Sequence, residues 1–170
     1  MIGGTATATF DDFIFRISAQ GVDERKLGRW NFITITGKNN LQTTIFTCYC
    51  PYTGRSPGSA YSQHLVYMEK HKDTLPGTNC PRQLFGIDLK QAIDDKIAQG
   101  HQIIVMGDFN SEYANLSKWM LESGLQDLIH KIHGKGPRTY NRSKIHLLTE
   151  YLDLPISVSG KEDFYPLINL

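Results

Sequence analysis

The densest chemistry in this chain lies at Gly107-Asp108-Phe109-Asn110-Ser111, where an acid and an amide stand two residues apart around a bulky apolar one. On a chain leaving a buried strand, this spacing lets both polar groups face one way while Phe109 anchors in the core. A carboxylate there is the hard oxygen ligand that Mg²⁺ requires, or a base for a water nucleophile. The amide orients water or a phosphate oxygen without adding negative charge. The same triplet also serves as an Asx-turn that ends a strand. Spacing alone leaves both roles open.

Tyr49 stands between Cys48 and Cys50, so on a strand its ring projects opposite to both thiols. Its phenol there is either a hydrogen-bond donor to a phosphoryl oxygen or the satisfied hydroxyl of a core tyrosine. The C-x-C spacing does not make a structural zinc site, because only Cys80 remains to complete it. Lys131, His133, Lys135, Arg138, Arg142 and Lys144 gather positive charge around Gly134, Gly136 and Pro137. Such a run contacts phosphates or forms a solvated loop.

The elements that must position these residues read as follows. Thr5 to Phe10 and Phe13 to Ser18 are rich in Thr, Ile and Phe, and predict strands. Residues 30–36 alternate large apolar with polar types, residues 43–50 form a second β-rich run, and Gly37-Lys38-Asn39-Asn40 supplies a turn between them, so the pair predicts an antiparallel hairpin. Pro51 ends it. A loop follows over 52–58, and residues 60–73 look helical without a clean stripe. Leu84, Ile87, Asp88, Gln91, Ile93 and Ile97 recur near a 3.6 period and predict a helix over 81–98, ended by Gly100. The continuous apolar run over 102–106 predicts a strand buried on both faces. Asp108 and Asn110 then fall just past its carboxyl end, where open α/β sheets build their sites. A third helix is expected over 115–123, closing at Gly124, with a strand or helical turn over 125–129.

The chain has 170 residues, 40% of them apolar, which suffices for one ordinary core. Lys and Arg number 18 against 17 Asp and Glu, so a polyanion site must be local rather than a property of the whole chain. No run approaches a membrane span, and the first residues lack the pattern of a signal peptide. Three cysteines form no fully paired framework. The expectation is an intracellular chain, cytoplasmic or nuclear and not secreted, with no membrane partner.

Gly107-Asp108-Phe109-Asn110 after a buried strand, Thr47-Cys48-Tyr49-Cys50-Pro51 ending an earlier one, and Thr139-Tyr140-Asn141-Arg142 downstream together resemble the endonuclease/exonuclease/phosphatase superfamily. Leu27-Gly28-Arg29-Trp30 and Gly37-Lys38-Asn39 look most like the endonuclease domain of non-LTR-type retrotransposons. The match spans about residues 3–143, with G-D-F-N its sharpest part. The resemblance implies an α/β fold, here part of a two-sheet α/β sandwich, over residues 1–143, with a divergent tail over 144–170. It implies Mg²⁺-dependent phosphodiester hydrolysis on nucleic acid, DNA foremost, with a reverse transcriptase as partner in a longer parent polyprotein. Asp108 matches the family's water-activating aspartate and is the metal ligand the resemblance implies, Asn110 matches its neighbouring asparagine, and Tyr49 matches the tyrosine that bonds the scissile phosphate. Arg138, Tyr140, Asn141 and Arg142 are the implied phosphate or nucleic-acid contacts.

Two departures shape the expectation. The family's principal Mg²⁺ ligand, a glutamate, lies upstream of the segment matching Gly3-Gly4-Thr5, and Asp11, Asp12, Asp23 and Glu24 do not stand in its motif. The family's closing S-D-H motif has no counterpart, although Leu152-Asp153-Leu154-Pro155-Ile156 faintly echoes its I-D-Y-I strand. Weak Mg²⁺ binding and impaired turnover are therefore expected. The alternatives are a phosphatase of the same superfamily, a non-catalytic remnant binding nucleic acid or protein through Lys131 to Lys144 and Thr53 to Ser59, or a fragment that does not fold independently.

Overall fold

The alternating run that opens at Trp30 forms strand β2 (Trp30–Thr36), and it pairs antiparallel with β3 (Gln42–Tyr49) in unbroken register from Trp30 opposite Cys48 to Thr36 opposite Gln42. The turn between them needs left-handed backbone, which Asn39 and Asn40 supply at φ of 58° each. The Gly37 amide closes it on the Leu41 carbonyl at 2.7 Å. This computed structural model describes residues 4–111, 118 and 120–133. Within them the fold is mixed α/β, with one four-stranded sheet in the order β1-β2-β3-β4. β1 (Ile17–Val22) is antiparallel to β2, and β4 (Gln102–Asp108) is parallel to β3. A parallel neighbour requires a crossover, and helices α1 (Ala60–Lys70) and α2 (Pro81–Ala98) lie in that connection.

Helix α1 starts where the Ser59 hydroxyl accepts from the Ser62 amide at 3.2 Å. Helix α2 has Pro81 in its first turn, where a missing N–H costs nothing, and ends before Gly100 at φ 80°. It covers one face of the sheet. Trp30, Phe46, Cys48, Cys50, Phe85, Leu89 and Ile93 form the core, with Phe32, Ile103, Val105 and Phe109 packed against it. Trp30 and Phe85 meet edge to face with ring centroids 6.0 Å apart. The buried stripe of α2 is Leu84, Phe85, Leu89 and Ile93, whereas Ile87 and Ile97 are exposed and Asp88 turns towards two arginines. The apolar stripe is thus rotated from the one its periodicity predicts, because ion pairing fixes Asp88.

Three other expectations change. Thr5 to Phe10 is not a strand. Thr7 instead donates its hydroxyl to Asn31 Oδ1 at 2.6 Å and meets the Thr47 hydroxyl at 3.0 Å. Asp11 at φ 52° then interrupts extended backbone, Asp11–Arg16 forms a 3₁₀ helix, and β1 begins only at Ile17. Strand β4 is not buried on both faces: Ile103 and Val105 face α2, while Ile104 and Met106 are 45% and 49% exposed. Among the described residues it is one of the sheet's two edge strands, and a helix layer covers one side alone. In the third predicted helix, Lys118 and Met120 to Glu122 are helical, and Gly124 at φ 70° stops them. The first compact unit ends at Leu128, and a short helix, Leu128–His133, continues to the end of the described residues. The expected boundary at 143/144 lies outside them. No helix among the described residues is long and apolar enough to cross a membrane.

A buried ion network ties the layers together. Arg29 and Asp23, each with a side chain 1% exposed, pair through Nε and Nη2 at 2.6 and 2.7 Å. Asp23 also accepts from the Arg25 and Leu27 amides, which shapes the connection from β1 to β2 around its carboxylate. Arg29 Nη2 reaches Asp88 on α2 at 2.8 Å, and Arg25 grips the same carboxylate with Nε and Nη2 at 2.6 and 3.0 Å. Its guanidinium holds its proton more tightly as a result. Arg29 also lies over the Trp30 ring, 4.5 Å from the centroid. Beside it, burial and the Arg29 charge push the His64 imidazole below its ordinary pKa, so it is a neutral partner for the Leu27 carbonyl at 3.3 Å.

Removing one member of a buried pair strands the other charge. Asp23→Asn is expected to cost about 3–5 kcal/mol in urea unfolding, whereas Arg25→Ala, at the partly exposed end of the network, costs about 1 kcal/mol or less. Equal effects from the two would show that the Arg29–Asp23 pair does not organise the fold.

Candidate functional site

The ends of β3 and β4 bring three of the sequence-predicted residues to one rim. Tyr49 stands in register with Asp108 on the neighbouring parallel strand, so their side chains leave the same face of the sheet, opposite to Cys48 and helix α2. Phe109 turns the other way and packs edge to face on Phe85 with centroids 6.2 Å apart. That anchoring is the one expected from the D-x-N spacing. The Asn110 backbone then adopts φ 45°, and its amide donates to Asp108 Oδ1 at 2.9 Å. This is an Asx-turn, and it coexists with an exposed carboxylate.

Close approach of the two strands demands the glycine before the acid. A Cβ on Gly107 would sit 1.9 Å from the Cys48 carbonyl oxygen, and φ is 148° there. Past this point the strands are stitched by the Cys50 amide to the Asp108 carbonyl at 2.8 Å and by Asn110 Nδ2 to the Cys50 carbonyl at 2.9 Å. The Tyr49 amide donates in the other direction, to the Arg29 carbonyl at 2.7 Å, which joins the rim to the buried ion network. Arg82, at the start of α2, donates Nη1 to the Pro51 carbonyl at 2.9 Å and Nη2 to the Phe109 carbonyl at 3.1 Å.

Arg82 and the Arg29 network were not visible as site-building residues in the sequence. The signal for Arg82 was faint: an arginine directly after the N1 proline, where a cation opposes the helix dipole and so needs another reason to be there. Asp23, which resembles no family ligand, is a fully buried structural acid. Arg138, Tyr140, Asn141 and Arg142 lie outside the described residues, as do Asp153, Lys135 and Lys144. Burial pushes the Cys48 thiol up to about 12 and the Cys50 thiol up to about 11, and all three cysteines are free. Thiols that face the core and hold their protons are poor nucleophiles at neutral pH.

No group of three or more His, Cys, Asp or Glu side chains converges among the described residues. Asp108 is nevertheless an exposed hard-oxygen donor, and Mg²⁺ commonly keeps several waters while using one or two carboxylates plus substrate phosphate. The rim therefore fits a single-carboxylate Mg²⁺ contact. Compared with protein families, with curated proteins and with solved structures, the chain matches none.

Two outcomes follow from this geometry. Gly107→Ala is expected to cost about 1–3 kcal/mol and to part β3 from β4 at the rim, seen as loss of exchange protection at the Cys50 amide. Unchanged protection would refute the close approach. The thiols also set an alkaline limit. In the unfolded chain they ionise near their ordinary 9.0, while in the folded chain they keep their protons to about 11–12. Stability is thus full below pH 9 and falls as pH rises from 9 towards 11, since the unfolded state then binds fewer protons. Denaturant midpoints that stay flat across that window would contradict this account.

Proposed function

We propose that the rim of Tyr49, Asp108 and Asn110 hydrolyses phosphodiesters in nucleic acid, DNA foremost, in the manner of the endonuclease/exonuclease/phosphatase superfamily. The observation that carries this reading is the register of Tyr49 beside Asp108 on adjacent parallel strands, with Asn110 folded back onto both strand ends. A phenol donor and a carboxylate on one rim suit a single phosphoryl group.

Asp108 takes a proton from the attacking water, whose oxygen bonds to phosphorus as the bond to the leaving sugar oxygen breaks; that oxygen leaves with a proton from solvent. Tyr49 donates to a non-bridging phosphoryl oxygen. Asn110 is held in place by one Nδ2 proton on the Cys50 carbonyl, and its Oδ1 orients the water. Mg²⁺, when bound at Asp108, neutralises phosphate charge. A rim whose metal contact is Asp108, with no convergence of three or more His, Cys, Asp or Glu side chains among the described residues, supports a slow enzyme with weak Mg²⁺ affinity.

We further propose that the sheet is half of a two-sheet sandwich. Support comes from the face opposite α2, where Ile45 stands in register with Ile33 on one side and the exposed Ile104 on the other, with Met106 beyond. A second sheet is the natural cover for such a row. A reverse transcriptase in a longer parent polyprotein remains the partner this reading implies.

The test is Mg²⁺-dependent nicking of supercoiled plasmid by the purified chain beside Asp108→Ala, with EDTA as the blank. Nicking is expected, slow, lost in EDTA and reduced about 10²-fold or more in the variant. Salt-sensitive plasmid binding without nicking would replace the enzyme reading with a binding remnant. Release of phosphate from a monoester with plasmid intact would move the assignment to a phosphatase.

A further inference from the structure

We infer that Arg82 is a positioning residue for the rim, a guanidinium clasp that fixes the separation of the segments carrying Tyr49 and Asp108. The inference rests on the phosphodiester reading for its rate effect alone; the clasp itself is a geometric claim. Arg82 stands in the first turn of α2, where the dipole disfavours a cation, and its side chain is half-buried. It makes neither of its two contacts within the helix. Nη1 donates to the Pro51 carbonyl, just past β3, and Nη2 to the Phe109 carbonyl, just past β4.

Those carbonyls lie beyond the last strand pairing, at Tyr49 and Asp108, where ladder bonds no longer hold the chains. Pro51 is buried, so its carbonyl without Arg82 would lose a charge-assisted partner away from water. The planar fork suits two acceptors side by side, which a lysine ammonium on a flexible stem matches poorly. The clasp also lies on the core side of the rim, since Phe109 packs on Phe85 one turn along α2. Arg82 therefore acts through Pro51 and Phe109 and leaves the open face to substrate.

The experiment uses the full chain with Arg82→Ala and Arg82→Lys, read by amide hydrogen exchange and by plasmid nicking. Protection at the Cys50 and Asn110 amides, which close on Asp108, is expected to fall ~10-fold or more in Arg82→Ala, while the central β2–β3 ladder keeps its own. Nicking should fall about 10²-fold with little change in KM, as for a misplaced catalytic group, and added guanidinium should restore part of it. Should Arg82→Ala not unfold cooperatively, Arg82→Lys, which keeps stem and charge, must show the same two amides losing protection. Wild-type protection at Cys50 and Asn110 in a folded variant overturns the clasp, and so does a loss spread evenly over the sheet. If the parent chain does not nick, the phosphodiester reading fails by itself, and localised loss of protection still supports the clasp.

Discussion

The rim is tied to the core at a residue whose guanidinium has no access to water. Arg29 is 1% exposed, and a buried charge of that kind persists only with its counter-charges held in place. Asp23 supplies one and Asp88 the other, so the β1–β2 connection and helix α2 are tied to a single cation. The backbone of the same residue accepts the Tyr49 amide. A network whose own contribution to stability is modest thereby fixes the strand that presents the phenol, which is specificity of arrangement rather than surplus stability.

From that anchor the rim is assembled by backbone groups more than by side-chain packing. The carbonyls of residues 50, 51, 108 and 109 are each taken by a named donor, from Asn110, Arg82, Cys50 and Arg82 in turn. Strand ends ordinarily fray because their ladder bonds stop. Here two side chains continue the ladder by proxy, one from the turn and one from the helix. The backbone of this strand end is therefore more completely fixed than the absence of a convergent charged cluster among the described residues would suggest.

Much of this was legible in residue patterns, and the misses share a cause. Helix α2 over 81–98 and the β2–β3 hairpin came directly from a proline at N1, a glycine stop, period-two alternation and asparagines able to adopt positive φ. Local chemistry determines such elements. Thr5 to Phe10 and the first part of the run Phe13 to Ser18 read as strands but are not, because β-branched and aromatic residues favour a strand only where a neighbouring layer rewards it. For β4, an apolar run told of burial but not of which face receives it, and the edge position leaves Ile104 and Met106 open. Asp88 falls within the stripe that periodicity predicts, because periodicity carries no information about a partner arginine far along the chain. At the site, Tyr49, Asp108 and Asn110 were legible because each sits at a strand end marked by Pro51 or Gly107. Arg82 was not, since its partners are carbonyls that every residue possesses.

The Asx-turn and the catalytic reading of Asp108-Phe109-Asn110, alternatives on spacing alone, are compatible once the atoms are assigned. Oδ1 of Asp108 accepts the Asn110 amide and so fixes the carboxylate plane, an effect that a freely rotating acid lacks. One Nδ2 proton of Asn110 is likewise committed to the Cys50 carbonyl. What the turn consumes is one acceptor and one donor; what it returns is a carboxylate and an amide of defined orientation on the same rim as a phenol. A turn that only reversed the chain would not require Gly107 to admit β3 within van der Waals contact, nor Arg82 to bind both departing segments. The cost of that close approach is the structural argument for treating this strand end as a site.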